Sequence, residues 1–254
     1  MPQNGAQPME TMLLVNASQR SALERQMDVI ANNLANLSTT AYKGERAVFS
    51  EYLVDTGGRD APRGGDETSF VLDYGTIRST ENGPIQITGN ALDIALEGPG
   101  FMQVQNQDGE LLYTRRGHLT KDEQGFLALP TGERVLDDDG NPIDLNTLVD
   151  KPVINPDGTI SLPDETIQIN LVLFDNDRAL ERRENSLFAP GTQQPRPTDQ
   201  IQVVQGALEG SNVNAIKETT RMLEVMRAYQ SAQRSTDSLN DVRDKAIDAL
   251  PRAN

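Results

Sequence analysis

The fold of this chain turns on residues Ile30 to Gly44, which read IANNLANLSTTAYKG. Asn32, Asn33 and Asn36 crowd its first half, although asparagine is a mediocre helix former because its amide competes for nearby backbone groups. Ser38, Thr39 and Thr40 follow at once. The stretch reads as the point where a long helix ends and hands the chain to strands. Its amides read as groups that fix the register of packed helices or close a helix end, tasks that leucine alone does poorly.

Upstream, Met9, Leu13, Leu23, Met27, Ile30, Leu34 and Leu37 fall on one seam of alternating three- and four-residue steps, with Asn16 and Arg20 at its two polar positions. That repeat predicts a helix from Met9 to Leu37 whose narrow apolar face suits a coiled-coil partner better than a broad core. The other end of the chain supplies one. Met222, Val225, Tyr229, Ala232, Thr236, Leu239, Ala246 and Leu250 trace a second seam, interrupted at Arg243, and Leu223 and Met226 widen it. Pro251 marks its expected end.

Between the helices the pattern changes to short β-prone runs separated by turns. Asn82-Gly83, Gly89-Asn90 and Gly98-Pro99-Gly100 are turn signals, and Asp108-Gly109 between GFMQVQ and ELLYTRRG predicts a hairpin. Residues 55–69, DTGGRDAPRGGDETS, read as a long loop. The predicted class is α+β: two long terminal helices in a coiled-coil-like bundle, with an all-β domain inserted between them. The boundaries follow as a flexible tail over 1–8, a discontinuous helical domain over 9–41 and 211–254, an extended linker over 42–75 and a β domain over 76–210.

Charge divides the same way. Of 38 acids and 23 bases, residues 1–50 hold four of each and residues 211–254 hold six acids and seven bases, so the middle keeps 28 acids against 12 bases. An acidic middle repels phosphate backbones, which argues against nucleic-acid binding. No run approaches the ~18 apolar residues of a membrane span, and no basic segment followed by an apolar one marks a cleaved signal peptide. The chain has no cysteine and one histidine, so thiolate chemistry and two-histidine zinc sites are excluded. His118 in TRRGHLT lacks a nucleophile-elbow motif and reads as structural. Asp137, Asp138, Asp139, Asn141 and Asp144 miss the EF-hand spacing and read as an acidic turn. Neither an enzyme nor a cofactor is expected.

Three strings are more specific. ANNLANLSTTAYKGERAVF resembles the N-terminal motif of the flagellar axial proteins, the rod and hook subunits. TGNALDIALEGPGFMQVQNQDGELLYTRRGHLTKDEQGFL is similar to their shared central motif, and GALEGSNVNAIKETTRMLEVMRAYQSAQRSTDSL to their C-terminal signature, with Ser211-Asn212-Val213 at its core. Two positions depart from the family pattern: Ala41 replaces its usual Gly, and Met102 stands where a second Phe is common. The resemblance implies a non-enzymatic subunit of the bacterial flagellar basal body. Its implied partners are other copies and other rod proteins in a helical assembly, and the flagellar type III export apparatus during passage to the periplasm. The residues expected at the assembly interface are Leu13, Leu23, Met27, Ile30, Asn32, Asn33, Leu34, Asn36 and Leu37 at one end. Asn212, Met222, Leu223, Val225, Met226, Tyr229 and Leu239 are expected at the other.

Overall fold

The computed structural model describes residues 7–55, 67–146, 152–162, 166–198 and 200–248, with side chains over 14–50, 74–146, 152–162, 166–198 and 200–245. Helix α1 spans Gln7–Ala35 and helix α2 spans Ala215–Asp248, with β structure between them. The class is α+β. The chain forms two compact units: Met1–Ala35, Glu45–Ile77 and Asn214–Asn254 in one, Asn36–Gly44 and Arg78–Val213 in the other.

In the helical unit α1 and α2 pack along one another. The Arg20 guanidinium lies 5.5 Å from the Tyr229 ring and Nη2 donates to the Tyr229 hydroxyl at 3.3 Å. That hydroxyl donates in turn to Glu24 at 2.9 Å. Towards the other end of α1, Val29 and Ile30 line a common groove with Glu218 and Val225 of α2. Numbers rise along one helix as they fall along the other, so the pair is antiparallel. Arg20, a polar interruption of the first seam, is thus a cross-helix link that holds one register. Asn214 caps α2, its side-chain oxygen accepting from the Lys217 N–H at 3.1 Å.

Strand β1 (Glu45–Asp55) pairs with β2 (Glu67–Arg78) in a two-stranded sheet. This corrects the expected linker: much of 42–75 is strand. AVFSEYLV is rich in β-branched and aromatic residues, and the neighbouring run of Gly and Asp obscured that signal. The rest of the expected loop, 56–66, lies outside the described residues, as do positions 1–6 of the expected tail and Pro251. No described helix is long and apolar enough to cross a membrane.

The β unit is built on strands β3 (Ile85–Ile87), β4 (Ile94–Glu97), β5 (Phe101–Gln105) and β6 (Leu111–Thr114). Strands β5 and β6 form the expected hairpin around Asp108-Gly109, with Gln105 opposite Leu111, at the centre of a nine-stranded sheet. Alternation sorts their side chains. Met102, Val104 and Leu112 enter an aliphatic core with Ile94, Leu127 and Ile160, and Met102 is fully buried. Phe101 and Tyr113 face the other way and meet Phe174 and Phe188 edge-on, with centroids 4.8 to 5.9 Å apart. The last strands return to the first: Gln202–Gln205 pairs with β4 and Ala207–Glu209 with β3. The segment leaving the β unit therefore lies beside the segment that begins it.

Candidate functional site

Among the described residues the polar clusters serve local structure. His118 Nδ1 lies 2.8 Å from Asp93 Oδ1, and the Asp93 carboxylate also accepts from Thr88 Oγ1 at 2.7 Å and Asn90 Nδ2 at 3.1 Å. These bonds, with the isolated backbone bridge between Asp93 and His118, tie the 88–93 turn to the segment between two strands that holds His118, as a structural histidine does. The aspartate run forms a turn in which the Asn141 N–H donates to Asp137 Oδ1 at 2.7 Å. Burial first, then the charges of Asp137 and Asp139, pushes the Asp138 carboxyl up. Among the described residues no three acidic or histidine side chains are placed to share a metal ion.

The densest polar network lies where residues 36–44 meet residues 207–213 in the β unit. Glu209 is 1% exposed. One carboxylate oxygen accepts from Lys43 Nζ at 2.7 Å and from the Gly83 N–H at 2.9 Å, and the other accepts from Arg115 Nε at 2.7 Å. Lys43 also donates to the Glu81 carbonyl at 2.7 Å and Asn82 Oδ1 at 3.3 Å, filling its three donors. Arg115 donates to the carbonyls of Leu96, Gly98 and Gly100 at 2.6 to 2.9 Å. Burial holds the Lys43 ammonium below its ordinary value, with Glu209 opposing that shift. Gly83 is required for the close approach, since a Cβ there would run into the Gly210 carbonyl oxygen.

Backbone contacts complete this junction. The Ala41 N–H donates to the Glu209 carbonyl at 2.8 Å and the Asn212 N–H to the Tyr42 carbonyl at 3.2 Å. The Asn212 amide accepts from the Gly44 N–H at 2.8 Å and donates to Ser79 Oγ at 3.2 Å and the Glu81 carbonyl at 2.8 Å. Ala41 is buried with φ at 55°, the left-handed conformation that glycine adopts freely. Sequence reasoning passed over Lys43, Arg115 and Glu209. Their signal was present: each is a charge beside a glycine or a turn, within one of the three quoted motifs.

The expected interface residues fall into three groups. Leu23, Met27, Leu34, Met222, Val225, Tyr229 and Leu239 are half-buried along the helix pair, and Ile30 is buried. Leu223 and Met226 are 56% and 42% exposed, and Asn32 is exposed on α1. Leu13 belongs to α1, but its side chain lies outside the described residues. The rest are committed locally. Asn33 is 3% exposed; its amide donates to the Glu45 carbonyl at 2.8 Å and accepts from the Glu45 N–H at 3.0 Å. Asn36 accepts from Thr39 Oγ1 at 3.1 Å, and it lies with half-buried Leu37 in the turn after α1 rather than in the helix. Asn212 serves the junction described above.

Paired terminal helices, with a β unit closed at one junction lying between them in sequence, are the plan on which the three motifs fall, and comparisons with known proteins place that plan among the flagellar axial proteins. The family described as "Flagella basal body rod protein" matches residues 13–43, "Flagellar hook protein FlgE/F/G D1 domain" matches 95–162, and "Flagellar basal body rod FlgEFG protein C-terminal" matches 204–249. Lys43 closes the first match, Arg115 lies in the second and Glu209 in the third. The flagellar basal-body rod protein FlgF of Caulobacter vibrioides is 33% identical over 97% of this chain and 100% of its own length. FlgF of Rhizobium meliloti is 33% identical over 95% and 98%, and the rod protein FlgG of Buchnera aphidicola 30% identical over 92% and 97%. The chain belongs to the flagellar basal-body rod proteins of the FlgF type, and is a structural rod subunit rather than an enzyme.

Proposed function

We propose that the chain builds the proximal part of the rod by self-assembly of its terminal helices into a hollow shaft that transmits torque. On this reading it leaves the cell through the flagellar type III apparatus without a cleaved signal and assembles in the periplasm. The helices form a coiled-coil-like inner core around the export channel, and the acidic β unit lies outside, where like charge limits lateral association.

The observation that carries the reading is the α1–α2 pair. Apart from buried Ile30 and Ala232, its described apolar seam residues are only half-buried, and Ile216, Leu223 and Met226 of α2 are 78%, 56% and 42% exposed. Apolar surface of this kind on a structural subunit is what neighbouring copies cover. The opening segment MLLVNASQRSALERQMDVIANNLAN favours the FlgF type and a proximal position. The likeness to FlgG supports a second reading, a distal position, by the same assembly mechanism.

Leu34→Asp in the full chain tests the seam. The substitution is expected to abolish incorporation into basal bodies and swimming, while the β unit keeps its fold by hydrogen exchange. Normal incorporation would show that the seam does not drive assembly.

A further inference from the structure

The helical unit contains a groove of about 330 Å³ between α1, the start of β1 and α2. Its walls combine the apolar Val29, Ile30 and Val225 with the acids Glu45 and Glu224 and the cations Arg46 and Arg221, so that with Glu218 acids outnumber bases by one. Glu218 reaches into it and is 8% exposed. One of its carboxylate oxygens meets Arg221 at 3.2 Å. The other, Oε2, is buried and without a hydrogen-bond partner. A buried carboxylate oxygen left unpaired is costly, and a donor that reached it would recover that cost.

The outward side of α2 carries such a donor. Ile216, Thr220, Leu223, Arg227, Gln230 and Arg234 follow one another in alternating four- and three-residue steps, and all are exposed. This second heptad seam is distinct from the one facing α1. Arg227 has no ion pair within the chain among the described residues. Nine residues separate it from Glu218, about two and a half helical turns, so the two side chains leave opposite sides of α2. Arg227 cannot fold back to its own Glu218. A contact between these two residue types is therefore open only between copies.

We propose that the groove is a socket for Arg227 of a second copy of this chain. The guanidinium donates to Glu218 Oε2, and Leu223, one turn earlier, packs against the apolar wall. The two patches differ and lie on opposite sides of one helix, so the contact is head-to-tail and propagates, as a rod requires. Arginine suits the role because its long stem packs on apolar walls while its planar head pairs with a carboxylate. The inference rests on the self-assembly proposed above.

A charge exchange in the full chain, expressed in cells that lack the natural copy, is the test. Arg227→Glu is expected to lower incorporation into isolated basal bodies by at least about ten-fold, with helical circular dichroism unchanged. Adding Glu218→Arg to the same chain is expected to restore it. Arg227→Glu incorporating as well as the unmodified chain overturns the socket but leaves self-assembly standing. Absence of the unmodified chain from basal bodies overturns both. Because the chain has no cysteine, a second test is independent of the exchange. Glu218→Cys and Arg227→Cys chains, co-assembled and treated with a bismaleimide that spans the gap left by the two long side chains, a gap too wide for a direct disulfide, are expected to form a crosslinked dimer. Asp241→Cys in place of Arg227→Cys is expected to form none. Equal yields from the two pairings also overturn the socket.

Discussion

Glu209 gathers three separate parts of the chain, and its two cations come from positions 166 and 94 residues away. An ion network this buried gives little stability by its presence, because desolvation offsets attraction. Breaking it is another matter. Glu209→Gln keeps the volume but leaves Lys43 and Arg115 buried without a counter-charge, and is expected to lower unfolding free energy by about 3–5 kcal/mol. Urea denaturation of the full chain, followed by a β-unit signal, reads this directly; a loss under ~1 kcal/mol, the usual worth of an exposed pair, would contradict the account. Ala41 offers a finer test. Its left-handed backbone costs about 1–2 kcal/mol in an L-residue, while its methyl group is buried. These effects roughly cancel against the flexibility of glycine, so Ala41→Gly is expected to change stability by less than ~1 kcal/mol. Ala41→Val adds a β-branched side chain to the same strained, enclosed position and is expected to cost more than ~2 kcal/mol by the same denaturation. None of this network was legible as a network. Charge pairs so far apart in sequence leave no periodicity, whereas the strain at Ala41 was visible as a departure from the family's glycine.

Helices are where the sequence spoke most clearly. The α1 and α2 seams announced themselves through a 3.5-residue rhythm, and the helix limits differ from the expected ones by two residues at each end of α1, ordinary for frayed ends. What the rhythm did not contain was the widening of the buried face near the end of α1. Val29 and Asn33 are buried there because β1 begins beside them, and a strand cannot be inferred from the helix it packs on. Asn33 answers part of the puzzle in IANNLANLSTTAYKG. Its amide imitates a neighbouring strand, giving and taking one hydrogen bond with the backbone of Glu45. Asn33→Asp removes the donor and sets a carboxylate against the Glu45 carbonyl, for an expected loss of about 1–3 kcal/mol. Hydrogen exchange at the Glu45 amide is the direct probe, with protection expected to fall in the variant. Unchanged protection would mean that the amide pair does not hold β1. Asn36 acts differently, closing the turn that follows the helix.

For the molecule as a whole, the division of charge anticipated the division of labour proposed here. Near-neutral ends are free to pack against copies of themselves, and a middle of 28 acids against 12 bases is suited to an outer surface. The order helix, β region, helix was also readable, because the two periodicities differ so sharply. The grouping of residues into units was not. Asn36–Gly44 belongs with the β unit and Glu45–Ile77 with the helices, an interleaving set by long-range contacts such as Ala41 to Glu209 and Asn33 to Glu45. A reconstruction of the basal body at side-chain resolution would show where this chain and its helices sit. The expected result is α1 and α2 of successive copies lining the channel of the proximal rod, with the β unit outside them. Density for the β unit against the channel, or for this chain outside the rod altogether, would contradict it.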